Sequence, residues 1–289
     1  VAYMFLGGTG AGGLVVVSLL GLALSKGSSK RGDDSLVLNA SKPKRSYYAI
    51  SYFVSLVFLA LGGLCLFLDL GNPGNALALF TNPSRSLISI GGLSIALCLA
   101  CGVVCAFLYE SDKINSLILV RLFEIVCAIS GSVVVVYIGF FLGLCFTVAL
   151  WGYWFVPALF IVSALSCGIC LLLLVEFGLE CRIGPTRKVR QLLTVDATLL
   201  FIELAFAVGA AIQVAQSPGL VYDDAWQFWP VFILAGLLVP LFLDVFTYRT
   251  VRYQKLIQLV SPLLVLGGGV MLRVIIASAG TRVALIGLL

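Results

Sequence analysis

The chain has 289 residues, of which 61% are apolar and 11% charged, and its mean hydropathy is +1.15. Soluble domains run at about 45–50% apolar and about 25% charged, so a water-soluble globule and a disordered chain are both excluded. The 18 basic and 13 acidic residues leave a net charge of +5, which on so apolar a chain reads as a membrane-orientation signal rather than a nucleic-acid footprint. The sequence has no histidine, which removes bis-histidine haem, His-ligated metals and His general-base catalysis. Nine cysteines in a membrane chain of this length do not make a disulfide scaffold.

A spanning helix needs about 20 mostly apolar residues. Eight stretches qualify: Tyr3–Leu24, Tyr47–Leu68, Ser86–Tyr109, Leu117–Phe146, Trp154–Leu179, Leu192–Ala215, Gln227–Phe246 and Leu259–Ala279. The fourth is long enough to tilt or to run past the bilayer. The first has no basic segment before it and no A-x-A-like site after it, so it reads as a mature helix and not as a signal peptide. The expected architecture is an all-α integral membrane protein, one membrane domain over residues 1–289. Ser25–Ser46, rich in Lys, Ser, Gly and Asp, reads as a mobile loop.

Charge sorts the connections. The loops after spans one, three, five and seven hold 15 of the 18 basic residues, counting Arg121 just inside span four. Lys and Arg mark the cytoplasmic face. Both termini are therefore expected outside, and an odd number of spans would scramble the bias. The outer connections differ in character: Asp69–Arg85 carries two Asn-Pro turn signals, and Gln216–Pro230 is acidic and aromatic. Trp151, Trp154, Trp226 and Trp229 fall at this outer level, as an interfacial belt or a docking face for an outside partner.

Several motifs reduce to packing. GGTGAGG at Gly7–Gly13 lacks the Lys-Ser/Thr and the preceding strand of a phosphate loop. Gly8-x-x-x-Gly12 and the Gly267–Gly269 run instead let helices approach closely. Cys98-x-x-Cys101 and Cys167-x-x-Cys170 have metal-like spacing, but they lie within spans and read as small buried hydrophobes. Ionisable residues inside spans are costly and are functional candidates. They are Arg121, Glu124, Glu176, Asp196, Glu203, Asp244 and Arg273. Arg121 and Glu124, three apart, are placed to pair. Glu124, Glu176, Asp196 and Asp244 lie near the cytoplasmic side, where snorkelling and local pairing explain them. Glu203 is too deep for that, so a candidate proton path from the cytoplasm is assigned to Glu124, Asp196 and Glu203.

A second set gathers at the outer side. Span one enters from outside, so Tyr3 is at its outer end; Tyr137 is in the outer half of span four, and Asp69 closes span two. Asn72 and Arg85 belong to the same level. A phenol, a carboxylate and an amide beside apolar walls suit a quinone, whose ring needs an apolar slot and whose oxygens need donors and a proton partner. The plainer reading makes the tyrosines belt residues and Asp69–Arg85 an ion pair.

These motifs resemble the NrfD/polysulfide-reductase membrane-anchor family over nearly the whole chain. The resemblance rests on YMFLGGTGAGG in span one, on LDLGNP at Leu68–Pro73 and on NPSRSLISIGG at Asn82–Gly92. YIGFFLG at Tyr137–Gly143, WFVPALFIVSALSCG at Trp154–Gly168, GLLVPL at Gly236–Leu241 and SPLLVLGGGVMLRVIIASAG at Ser261–Gly280 continue it in order. The resemblance implies two four-helix bundles and a quinone-reactive anchor of a respiratory molybdopterin oxidoreductase complex. It implies partners on the outer face: a ferredoxin-like iron–sulfur subunit and a molybdopterin catalytic subunit that holds the terminal substrate site. It implies no haem and no Fe–S cluster on this chain, and a bacterial cytoplasmic membrane location. The quinone site falls on Tyr3 and Tyr137, with Asp69, Asn72 and Arg85 beside them. Menaquinol would be oxidised there with Tyr137 and Asp69 as the catalytic pair. Two alternatives are a proton-translocating version of the anchor and a secondary transporter; the latter commonly shows inverted repeats and broken helices, and no paired interruption is visible here.

Overall fold

In a bilayer no water satisfies the backbone, so a spanning segment must close its own hydrogen bonds, and a long apolar run becomes a helix. The computed structural model of the chain describes residues 1–29, 42–69, 87–111, 117–143, 155–183, 187–215, 229–247 and 254–286, which are helical apart from Val1 and Ser111. The helices are α1 (Ala2–Ser29), α2 (Lys42–Asp69), α3 (Leu87–Glu110), α4 (Leu117–Gly143), α5 (Phe155–Ile183) and α6 (Arg187–Ala215). Then come α7, in three successive pieces (Trp229–Val231, Phe232–Leu238 and Val239–Thr247), and α8 (Gln254–Ile286). All eight are long and apolar enough to cross a membrane. The chain is an all-helical, multi-pass membrane protein.

Large apolar side chains such as Phe53, Phe107, Phe201 and Phe242 face outward. In water such a surface would aggregate; in lipid it meets its own kind. Several helices outrun their apolar stretches. Where a loop was expected over Ser25–Ser46, α1 continues to Ser29 and α2 begins at Lys42.

The centre of the molecule is α1, which packs on α2, α4 and α5 and touches α8. Glycine makes this possible. A Cβ on Gly10 or Gly62 would strike the backbone of the other helix of the α1–α2 pair, at Leu59 and Gly7. Between α1 and α5, a Cβ on Gly12 would strike the Ala164 carbonyl, and one on Gly168 the backbone of Gly12 and Gly13. The close approach expected of Gly8-x-x-x-Gly12 is therefore made to α5: the Gly8 position faces Ala164 and Arg273. In the Gly267–Gly269 run, Gly268 meets Gly236 of α7 and Gly269 meets Cys167 of α5, while Gly267 meets nothing.

Within α7, Phe232–Leu238 is π-helical, and the Val239 amide bonds the Leu234 carbonyl five residues back. Pro240 supplies a cause. Proline has no N–H and its ring crowds the carbonyl four residues earlier, and a widened turn accommodates both faults.

Candidate functional site

Tyr3 lies in the first turn of α1 and Tyr137 near the end of α4, so antiparallel helices bring them to the same end of the molecule. The structure sets their phenol groups beside one another. Both rings are in the core, and neither hydroxyl has a hydrogen-bond partner beyond the other phenol. Glycine again makes the room. A Cβ on Gly91 of α3 would come within 2.5 Å of the Tyr137 ring, and one on Gly7 would touch the Tyr3 ring and Ile138. Phe141 tilts against Tyr137 at 5.8 Å between centroids. Asp69 ends α2, and its side chain lies outside the described residues, as do Asn72 and Arg85.

A second arrangement fills the space among α5, α6, α7 and α8. Ser163, Ser166, Cys167 and Cys170 share one face of α5 by helical spacing, and all four are buried. Ser166 donates to Asp196 Oδ1 at 2.8 Å, and Cys170 Sγ lies 3.3 Å from Asp196 Oδ2. Asp244 of α7 sits beside Asp196 and accepts a hydrogen bond from Ser261 at 2.6 Å. Gln258, one turn before Ser261, is fully buried with both amide atoms unpartnered. Nearer the Tyr3 end, Glu203 lies beside Ser163 and within electrostatic range of Arg273. Arg273 in turn donates to the Met4 carbonyl at 3.1 Å. Buried polar side chains thus run from Gln258 to the residue that follows Tyr3.

Glu124 belongs elsewhere. Tyr109 of α3 donates to its Oε1 at 2.6 Å, and Gly21 of α1 leaves it room, since a Cβ there would strike the carboxylate. Arg121, expected to pair with it, is within electrostatic range. Tyr109 stacks on Tyr48 and Tyr52, and Tyr52 meets Ser18 at 3.0 Å. Glu124 therefore faces α1 and α3, whereas Asp196 and Glu203 face α5. Glu176 is buried near Tyr47. Asp196 and Asp244 are fully enclosed where snorkelling was expected. Cys98, Cys101, Cys167 and Cys170 are buried free thiols, and no group of three or more His, Cys, Asp or Glu is placed to hold a metal among the described residues. Trp229 is buried against Phe232, and the other three tryptophans lie outside the described residues.

The sequence reading missed Tyr109, Ser163, Ser166, Ser261 and Gln258. The serines of α5 carried a signal, since Ser163, Ser166 and Cys170 repeat at three and four residues within an apolar helix. Tyr109 carried none, because it closes its span as an ordinary interfacial residue would.

The family model for Polysulphide reductase, NrfD, matches residues 1–284. The chain belongs to the NrfD family. No curated protein and no solved structure matches it. NrfD proteins are quinone-reactive membrane subunits of oxidoreductase complexes, normally partnered by iron–sulfur and molybdopterin subunits. In this NrfD chain the Tyr3 and Tyr137 phenols are among the buried polar groups without a hydrogen-bond partner, as are Thr9, Ser51, Ser55 and Gln258.

Proposed function

We propose that the chain is the quinone-reactive anchor of a respiratory molybdopterin oxidoreductase complex in a bacterial cytoplasmic membrane, with both termini outside. The observation that carries this reading is the pair of adjacent, buried hydroxyls of Tyr3 and Tyr137, which have no partner beyond each other. A hydroxyl left unsatisfied in an apolar interior costs about 1–3 kcal/mol, and two side by side are expected where a ligand accepts from them. A quinone is such a ligand: its ring suits the apolar surroundings and its oxygens accept. Being neighbours, the two phenols are placed to serve the same end of the ring. Asp69 at the end of α2 is assigned to take up the proton, with Asn72 and Arg85 in the connection that follows.

When bound, menaquinol supplies two electrons, for the iron–sulfur partner on the outer face, and two protons, which leave on the outer side. This chain binds and orients the headgroup, shields it from water and holds the proton acceptor. The terminal substrate site stands on the molybdopterin partner, and this chain carries neither haem nor an iron–sulfur cluster. Tyr137→Phe tests the reading. It removes one hydroxyl and keeps the ring against Gly91, so the complex is expected to assemble while quinol oxidation falls at least about tenfold, the loss of one donor worth ~1.4 kcal/mol. Unchanged turnover removes Tyr137 from the site.

A proton-translocating anchor is the second reading. What favours it is the run of buried polar side chains through Ser261, Asp244, Asp196, Ser166, Ser163 and Glu203 to Arg273, in an otherwise apolar medium. Intramembrane ionisable residues of this kind mark ion and proton pathways. In this version Asp196 and Glu203 carry the path, and Glu124 belongs to a separate cluster.

A further inference from the structure

We propose that Arg273 is a positioning residue for the quinone site, fixing the stretch of α1 at Met4 and Phe5 and with it the adjacent Tyr3. The inference rests on the quinone reading of Tyr3 and Tyr137. Arg273 is 0% exposed, although it stands in the helix farthest from α1 in sequence. Its Nε donates to the Met4 carbonyl at 3.1 Å, and its Nη1 donates to the Gly269 carbonyl at 2.8 Å and lies 3.4 Å from Ser163 Oγ. The rings of Phe5 and Phe160 flank the guanidinium, at 5.5 and 5.4 Å from their centroids. One side chain therefore joins α1, α5 and α8.

Tyr3 is next to Met4 in α1, so its hydroxyl is only as well placed as that stretch of helix is. Arg273 grips the two residues that follow, Met4 by its carbonyl and Phe5 by its ring. Gly8, one turn on, is what admits the guanidinium, since a Cβ there would come within 3.3 Å of Nη2. Packing alone does not call for arginine. A buried guanidinium costs several kcal/mol unless it is paired and bonded, and a methionine would fill the same space. Glu203 and Cys167 lie within electrostatic range of the guanidinium and Ser163 Oγ lies beside Nη1, while Nη2 has no hydrogen-bond partner. A planar fork that reaches two carbonyls on different helices at once is something lysine does not supply.

The test is steady-state oxidation of menadiol by the assembled complex. Arg273→Met is expected to raise KM for menadiol about tenfold, with kcat changed less than about threefold, because binding depends on Tyr3 being in place. Arg273→Lys, which keeps the charge and one bond, is expected to recover about half of that loss. Phe160→Leu removes one flanking ring, contributed by α5 and not by α1, and is expected to raise KM in the same direction, by about threefold. A purely structural role would lower the yield of complex and leave KM of the assembled fraction alone, and that result in Arg273→Met overturns the proposal. Should Arg273→Met not assemble, unchanged KM values in both Arg273→Lys and Phe160→Leu overturn it instead. An unmodified complex that does not turn over menadiol overturns the quinone reading, and this inference with it; normal turnover with unshifted variants overturns this inference alone.

Discussion

At the scale of single residues, the buried polar groups differ in whether their bonds are spent. Tyr109 spends its hydroxyl on Glu124, and Ser166 and Ser261 spend theirs on Asp196 and Asp244. Tyr3 and Tyr137 do not. Tyr109→Phe should therefore lower the stability of the detergent-solubilised complex by about 1–3 kcal/mol, since it leaves a buried carboxyl short of a donor. A thermal unfolding curve reads this as a lower midpoint, and quinol turnover at the opposite end of the helices should stay within about twofold of the unmodified complex. The depth of Tyr3 and Tyr137 was legible from topology alone, because charge bias and span count fix which end of each helix a residue occupies. The partners of Glu124 and Asp244 were not. They depend on how each helix is rotated about its axis, which apolarity on all sides leaves undetermined.

Among elements, the contacts that lock the structure are made by backbone. α1 and α5 meet through Gly12 and Gly168 so closely that a single added carbon on either would enter the other helix's main chain. Gly12→Ala and Gly168→Ala should each abolish or sharply reduce recovery of folded protein, at a cost of about 1–3 kcal/mol or more from overpacking that has no side chain to yield. Gly178→Ala and Gly267→Ala, where a Cβ would meet nothing within 4 Å, should leave recovery unchanged or improve it slightly. Size-exclusion profiles of the four variants settle both halves of this expectation. The eight helices were legible because a bilayer demands about 20 apolar residues for each crossing. The π-helical piece of α7 was not, even with Pro240 in plain sight, because proline forces some irregularity without saying which.

For the molecule as a whole, the buried carboxylates fall into two neighbourhoods, and Glu176 of α5 lies beside Tyr47 and Tyr48 of the first. Glu124 and its tyrosines belong to α1, α2, α3 and α4, and Asp196, Glu203 and Asp244 to the polar run through α5, α6, α7 and α8. If that second run carries protons, Glu203→Gln in proteoliposomes should abolish the charge movement that accompanies quinol oxidation and leave electron transfer itself within about threefold. Charge movement unchanged in that variant leaves Glu203 a structural partner of Arg273.

The glycine seam has a bearing on transport as well. A carrier that opens alternately to each side must let one half of its helices swing against the other, and that needs a slippery joint cushioned by side chains. Here the main chains of α1 and α5 are wedged into each other, and α1 is wedged in the same way against α2. A frame fastened so tightly can relay electrons and hop protons, neither of which asks a helix to move. It is a poor device for ferrying a sugar or an amino acid, and a solute-uptake assay on the isolated chain should find no such traffic.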